Sequence, residues 1–223
     1  MAIILCLETT TKNCSVAIFE NGILLQLKEQ NSANFSHAEL LTFFIKQVLE
    51  STNITFRQLD AIAISKGPGS YTGLRIGTST AKGLCYSLEI PLISISTLKA
   101  MALVISEKYK SSFYCPMIDA RRMEVFAGIF DNENNEIRQI KADIVTNETY
   151  KEYLNKKILF FGDGANKCKE AINHKNAKFI EGIYPSAKNL GSLSYKNFLN
   201  REFEDVAYFV PYYLKDFITG KKS

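Results

Sequence analysis

The sequence predicts an α/β protein of two stacked lobes, each running β-β-β-α-β-α-β-α. Three observations carry that expectation. Short apolar runs of strand length alternate with helical segments of 3.6-residue periodicity, and the same order of elements starts again near residue 111. The 223 residues also exceed what one small core needs. The boundary is expected in the polar stretch 107–112, giving lobes of residues 1–110 and 111–223.

In the first half, residues 3–8, 14–20 and 22–30 read as a meander of three strands, joined by Thr9-Thr10-Thr11-Lys12-Asn13 and by Asn21-Gly22. Ser36 with Glu39 forms a capping box that opens a helix running to residue 51. A strand at 59–66, a turn at 67–70, a helix at 71–89, a strand at 91–95 and a helix at 97–109 follow. The second half repeats the order with strands 113–119, 123–131 and 136–142, helix 146–155, strand 157–161, helix 164–174, strand 177–181 and helix 186–199. Matching the halves sets Glu8 over Asp119. Duplicated mixed-sheet lobes are the architecture of the actin, hexokinase and Hsp70 class, the ribonuclease-H-like (ASKHA) fold, which binds nucleotide between its lobes. Fold alone does not define an activity.

Composition narrows the class. A hydrophobic content of 46% and a mean hydropathy of −0.06 belong to a globular chain with a real core. The net charge of +4 is spread evenly, so neither half is a nucleic-acid arm. Lys215, Lys221 and Lys222 form a local basic excess that reads as a solvated tail or an RNA contact. Five cysteines without C-x-x-C spacing read as buried small hydrophobes in a reducing compartment. The apolar run at 2–7 is too short for a signal peptide or membrane span, so a cytoplasmic location without membrane contact is expected.

The strongest local signal is the run Gly67-Pro68-Gly69-Ser70-Tyr71-Thr72-Gly73-Leu74-Arg75-Ile76-Gly77, directly after a strand. Its glycines permit a tight turn, and the following helix points unpaired N–H groups at it. The turn reads either as an anion site or as a structural corner, since no Walker lysine follows. Gly73, Gly77 and Ala81 recur every four residues, a stripe where another backbone can approach. The opposite face gathers Tyr71, Arg75, Thr78, Lys82 and Cys85, solvated or against a partner. The helix from residue 37 has an apolar arc wider than a surface helix needs, with Phe43 beyond its edge. Burial against both the sheet and another subunit explains that width, as does a deeper position inside one lobe.

Glu8 and Thr9 fall where kinases of the actin class carry an Asp-x-Gly phosphate loop, so Glu8, Thr9, Gly67, Gly69 and Ser70 are the residual nucleotide-binding positions. A plain hydrophilic turn is the simpler reading of the threonines. Asp119-Ala120-Arg121-Arg122-Met123-Glu124 sets two arginines beside two carboxylates, an anion grip or a local ion-pair network. The two histidines, His37 and His174, are far apart in sequence, and no metal motif or Ser/His/Asp set is present. No catalytic residue and no metal ligand is expected.

The 67–77 run, continued by Ala81-Lys82-Gly83-Leu84, resembles a signature of the bacterial TsaB (YeaZ) family. The opening segment 5–16, Ser36-His37, Ile118-Asp119-Ala120-Arg121-Arg122-Met123-Glu124-Val125, Gly162-Asp163-Gly164, Tyr184-Pro185-Ser186-Ala187 and Pro211-Tyr212-Tyr213-Leu214-Lys215 fall in that family's order. The resemblance implies a non-catalytic scaffold in forming N6-threonylcarbamoyladenosine beside the anticodon of tRNAs that read codons starting with A. It implies TsaD as catalytic partner, TsaE as an ATPase that joins them, a homodimer when alone, and tRNA reached indirectly through the complex. No cofactor is implied for this chain itself beyond weak ATP or ADP binding in the complex. The family pairs through its first two helices, which places His37, Ala38, Leu41, Phe43, Tyr71, Arg75, Thr78 and Lys82 at the partner interface. The competing reading from the enzyme class is an independent small-molecule kinase of the actin-like superfamily, which needs a metal-holding acid and a phosphate loop in each lobe.

Overall fold

The computed structural model describes residues 1–31 and 37–215. The proposed Ser36 cap and the lysines Lys221 and Lys222 lie outside the described residues.

Strand β1 (Ile3–Glu8) is buried along its whole length, as its unbroken apolar run requires of a strand covered on both faces. It pairs antiparallel with β2 (Asn13–Glu20), which pairs antiparallel with the edge strand β3 (Ile23–Asn31). On its other side β1 runs parallel to β4 (Ala61–Gly67), and β4 to β5 (Leu92–Ser96), for the order β3-β2-β1-β4-β5. Helices α1 (His37–Thr52) and α2 (Tyr71–Leu88) lie on one face of this sheet, where Leu5, Val16 and Ile64 meet Leu41, Phe44, Val48 and Ala81. Helix α3 (Thr97–Lys108), capped by Ser96, leaves β5 and packs toward the other face.

The second sheet repeats this plan. Its strands are β6 (Phe113–Asp119), β7 (Glu124–Phe130), β8 (Glu136–Ile144), β9 (Ile158–Phe161) and β10 (Ala177–Ile180). Their order, β8-β7-β6-β9-β10, is that of the first sheet element for element. Even the turns correspond, since Gly67, which ends β4, and Gly162, which follows β9, share a φ of 107°. Helix α3 is sandwiched between the sheets, with Ala100 in the first core and Leu98, Met101 and Ile105 in the second. The duplicated ribonuclease-H-like fold is therefore present in both halves.

The helices of the second half are the main departure from expectation. Residues 146–155 form turns with one 3-10 turn, Lys151–Tyr153, instead of a helix. Thr146 and Thr149 bond each other's backbone and side chains, the local competition by which such residues break helices. Tyr150 takes a left-handed φ of 69° and donates its hydroxyl to Asp143 at 2.8 Å. Residues 164–174 likewise give a single 3-10 turn, Asn166–Cys168, and Gly164 packs closely on the backbone of Ile118 and Asp119. The last helix is split into a 3-10 turn, Ala187–Asn189, and α4 (Gly191–Leu199). Both pieces pack on the first sheet: Ala187 and Leu190 sit among Ile4, Ala17 and Ile93, and Gly191 lies against the Phe19 ring.

Candidate functional site

The turn after β1 folds down onto the glycine stripe of α2. Thr9 Oγ1 donates to the Gly73 carbonyl at 2.8 Å, and the Ser70 N–H donates to the Thr10 carbonyl at 2.6 Å. A Cβ at Gly69 would stand 2.4 Å from the Thr10 oxygen, one at Gly73 2.0 Å from the Thr9 oxygen, and one at Gly77 2.3 Å from Thr9 Oγ1. The backbone expected to approach that stripe is thus the chain's own threonine turn. The N-terminus of α2 is closed by Ser70, whose hydroxyl accepts from the Gly73 N–H at 3.3 Å. The Gly73 and Leu74 N–H groups are both taken by Ser70, and the threonine turn fills the space over the glycine stripe.

Glu8 is sealed beneath this turn at 1% exposure. Its Oε1 accepts from the Thr10 N–H at 2.6 Å and the Thr10 hydroxyl at 2.5 Å, and the Ser65 hydroxyl faces the same carboxyl. Burial outweighs these bonds and raises the Glu8 pKa above its ordinary value. Its charge in turn helps burial push the Cys14 thiol up to about 12. Ser65 and Thr97, whose hydroxyls meet at 2.7 Å, complete the cluster. Neither was singled out in the sequence, where a serine in a strand and a threonine opening a helix carry no pattern.

In the second half Asp119 is exposed, and its backbone N–H donates to Asp163 Oδ1 at 3.1 Å. Burial raises the Asp163 carboxyl. Lys167 pairs with Asp119 and Lys215 with Glu124. Arg121 and Arg122 form the tip of the β6–β7 hairpin with φ of 70° and 46°, both exposed. The local ion-pair network expected for them is absent among the described residues, because the two lysines have taken the carboxylates. Among the described residues no group of three or more His, Cys, Asp and Glu side chains is placed to hold a metal ion.

A strap closes the cleft from the other side. Glu204 adds a bridge to Leu92 at the edge of β5 and accepts from Ser94 at 2.5 Å. The chain then crosses α2, where Lys82 Nζ donates to the carbonyls of Ala207 and Phe209 at 3.0 and 3.1 Å. It passes over Gly67, with the Tyr212 N–H donating to the Lys66 carbonyl at 2.7 Å. Tyr213 stacks on Tyr71 at 4.3 Å, Arg75 lies 4.8 Å above the Tyr71 ring, and Leu214 joins the second core.

What remains open is the outer side of α1 and α2. Ala38 and Phe43 on α1 and Arg75 on α2 are exposed, Phe43 at 53%. His37, Leu41 and Thr78, expected at the interface, are buried, as is Cys85. Leu41 faces the sheet core, and His37 Nε2 donates to the Thr11 carbonyl at 2.7 Å while its ring lies against Gly73. Burial lowers the His37 pKa, which favours the neutral ring. Tyr71 and Lys82 are half-buried beneath the strap. The wide apolar arc of α1 therefore has a mostly internal explanation, with Phe43 as the residue left outside.

A family model described as TsaD: tRNA N6-adenosine threonylcarbamoyltransferase matches residues 31–220. The protein named tRNA threonylcarbamoyladenosine biosynthesis protein TsaB from Buchnera aphidicola (Schizaphis graminum) is 32% identical, over 84% of this chain and 90% of its own length. The tRNA N6-adenosine threonylcarbamoyltransferase of Wolbachia pipientis is 35% identical but matches over only 51% of this chain and 38% of its own length. The chain belongs to the TsaB (YeaZ) family. In the same family, the solved structure titled YeaZ from Pseudomonas aeruginosa superposes with a TM-score of 0.85 at 24% identity, covering 96% of this chain and 100% of that one. This likeness shows the two-lobed fold. No helix among the described residues is long and apolar enough to cross a membrane.

Proposed function

We propose that this chain is the non-catalytic subunit of the assembly that forms N6-threonylcarbamoyladenosine next to the anticodon of tRNAs reading A-starting codons. It binds and supports the catalytic subunit, TsaD, through the exposed side of α1 and α2. The observation that carries this reading is the filled phosphate-loop position: Thr9 and Thr10 occupy the space above Gly69, Gly73 and Gly77. The turn packs tightly on this stripe, and Glu8 is held by Thr10 beneath it. The same facts disfavour an independent small-molecule kinase, which needs that loop open.

Ala38, Phe43 and Arg75 are the contacts assigned to TsaD, with Phe43 as the central anchor, since exposed aromatic and arginine side chains carry most interface energy. TsaE joins the paired subunits, and the same helices support a homodimer when TsaD is absent. The five buried thiols suit a reducing compartment and a cytoplasmic location. The test is reconstitution of tRNA modification from TsaD, TsaE and the enzyme that supplies the threonylcarbamoyl adenylate, with and without this chain. Product is expected only when the chain is present. Equal product in its absence would overturn the assignment.

A further inference from the structure

We propose that the end of the second lobe where β6, β9 and β10 begin is a direct RNA contact site, its lysines meeting the sugar-phosphate backbone and an adjoining cavity accepting an unstacked base. The proposal rests on the functional reading above for the identity of the RNA as tRNA. It departs from that reading in giving this chain its own contact.

The sequence distributes charge evenly, but the fold does not. Three parallel strands start side by side, with Phe113 in register with Ile158 and Ile158 with Ala177. The segments leading into them are thereby stitched together. Lys157 Nζ donates to the Lys110 carbonyl at 3.2 Å, Ser111 Oγ to the Lys157 carbonyl at 2.8 Å, and Asn176 Nδ2 to the Leu154 carbonyl at 2.9 Å. Residues 107–112, 151–157 and 173–178 hold seven lysines and two glutamates, a net +5 in a chain whose total is +4. Lys108, Lys110, Lys156, Lys157 and Lys175 are all exposed, and none takes part in an ion pair among the described residues. Lys151, at the edge of the cluster, pairs with Glu148. Lysines such as Lys12 and Lys196 elsewhere also take part in no ion pair among the described residues, so what sets this end apart is the density of its positive charge. A cluster of unneutralised lysines is the electrostatic footprint of a phosphate backbone.

Two further features favour RNA over an acidic protein. Aromatic rings lie among the lysines: Tyr109 is 46% exposed, Phe113 meets Tyr153 edge to face at 5.9 Å, and Lys156 Nζ stands 5.6 Å from the Phe113 centroid. Phe113 and Tyr153 pack against the second core, which leaves the exposed Tyr109 ring as the face on which a base can stack. A cavity of about 540 Å³ opens beside them where the two expected helices are missing. Leu154 and Ile172 give it an apolar floor, and Asn147, Asn155 and Asn173 supply amides able to bond a base edge, while Glu170 disfavours a phosphate inside it.

The experiment is fluorescence anisotropy of the full chain with an unmodified tRNA transcript at about 50 mM salt and upward, where backbone contacts are strongest. Wild type is expected to bind. The pairs Lys156→Glu with Lys157→Glu, and Lys108→Glu with Lys110→Glu, are each expected to weaken binding at least about fivefold. Each should flatten the salt slope by about 1.5, as loss of two phosphate contacts requires. The control pair Lys12→Glu with Lys196→Glu, two exposed lysines associated with the first sheet, carries the same charge change and should leave both within about twofold of wild type. Absence of wild-type binding, equal weakening by the control pair, or displacement by polyglutamate as effective as by unlabelled tRNA would each overturn the proposal. Sizing every variant with TsaD separates the two claims. Retained pairing with lost RNA binding is the expected pattern, whereas failure of the wild type to pair with TsaD refutes the docking role without touching the RNA result.

Discussion

Glu8 shows how a single position can look like an active-site acid and behave as part of the core. Its carboxyl is buried with Thr10 and Ser65, and burial raises its pKa. A raised acid pKa means that the folded state keeps a proton the unfolded chain has released. Stability is then fully present at low pH and is lost as pH rises above the ordinary value of 4.5 toward the folded pKa. Glu8→Gln keeps an acceptor for Thr10 and gives Ser65 a donor. It should stabilise the protein at neutral pH by on the order of 1 kcal/mol, the low end of the cost of an incompletely compensated buried charge. Urea unfolding at pH 5 and pH 8 checks this: the gain should be larger at pH 8, and a loss at pH 8 would show that the ionised form is the favoured one.

Helix α2 decides what the first lobe can do, because its glycines are not equivalent. Gly73 has a carbonyl 2.0 Å from where a Cβ would stand, whereas nothing lies within 4 Å of one at Gly83. Gly73→Ala should cost about 3 kcal/mol, near the upper end of overpacking penalties. Gly83→Ala should stabilise by about 0.5–1 kcal/mol through helix propensity. Shifts of opposite sign in the urea midpoint are expected, and equal shifts would contradict the packing of the threonine turn on this helix. The close-approach stripe was legible from the four-residue spacing of Gly73, Gly77 and Ala81. That Thr9 fills it was not, because residues 9 and 73 meet only through the parallel pairing of β1 with β4. The succession of strands along the chain followed from apolar periodicity, but their order within each sheet did not. The second-half helices were misread because residues 146–155 have helical composition, while Thr146, Thr149 and Tyr150 spend their polar groups on local and cross-strand bonds.

For the whole molecule, the returning segment from α4 to Lys215 binds the halves together. Residues 187–199 complete the first core, and the strap runs from β5 across α2 to the second core. No sequence pattern marks such a return, since its bonds are largely backbone carbonyls accepting from Lys82 and backbone pairs at Leu92 and Lys66. Lys82→Met removes both side-chain bonds and should speed proteolytic cleavage between residues 205 and 213 about fivefold, as expected for a segment whose local opening becomes cheaper. Mass spectrometry of limited digests reads it out, and unchanged cleavage would mean that Phe209 burial alone holds the strap.

The central claim is that this chain acts through the outer face of α1 and not through the sealed cleft. Calorimetric titration of TsaD with two variants tests it most directly. Phe43→Glu should weaken pairing at least about tenfold, some 1.4 kcal/mol or more, and Glu8→Gln should pair as wild type does. Wild-type affinity for Phe43→Glu together with a loss for Glu8→Gln would contradict the account.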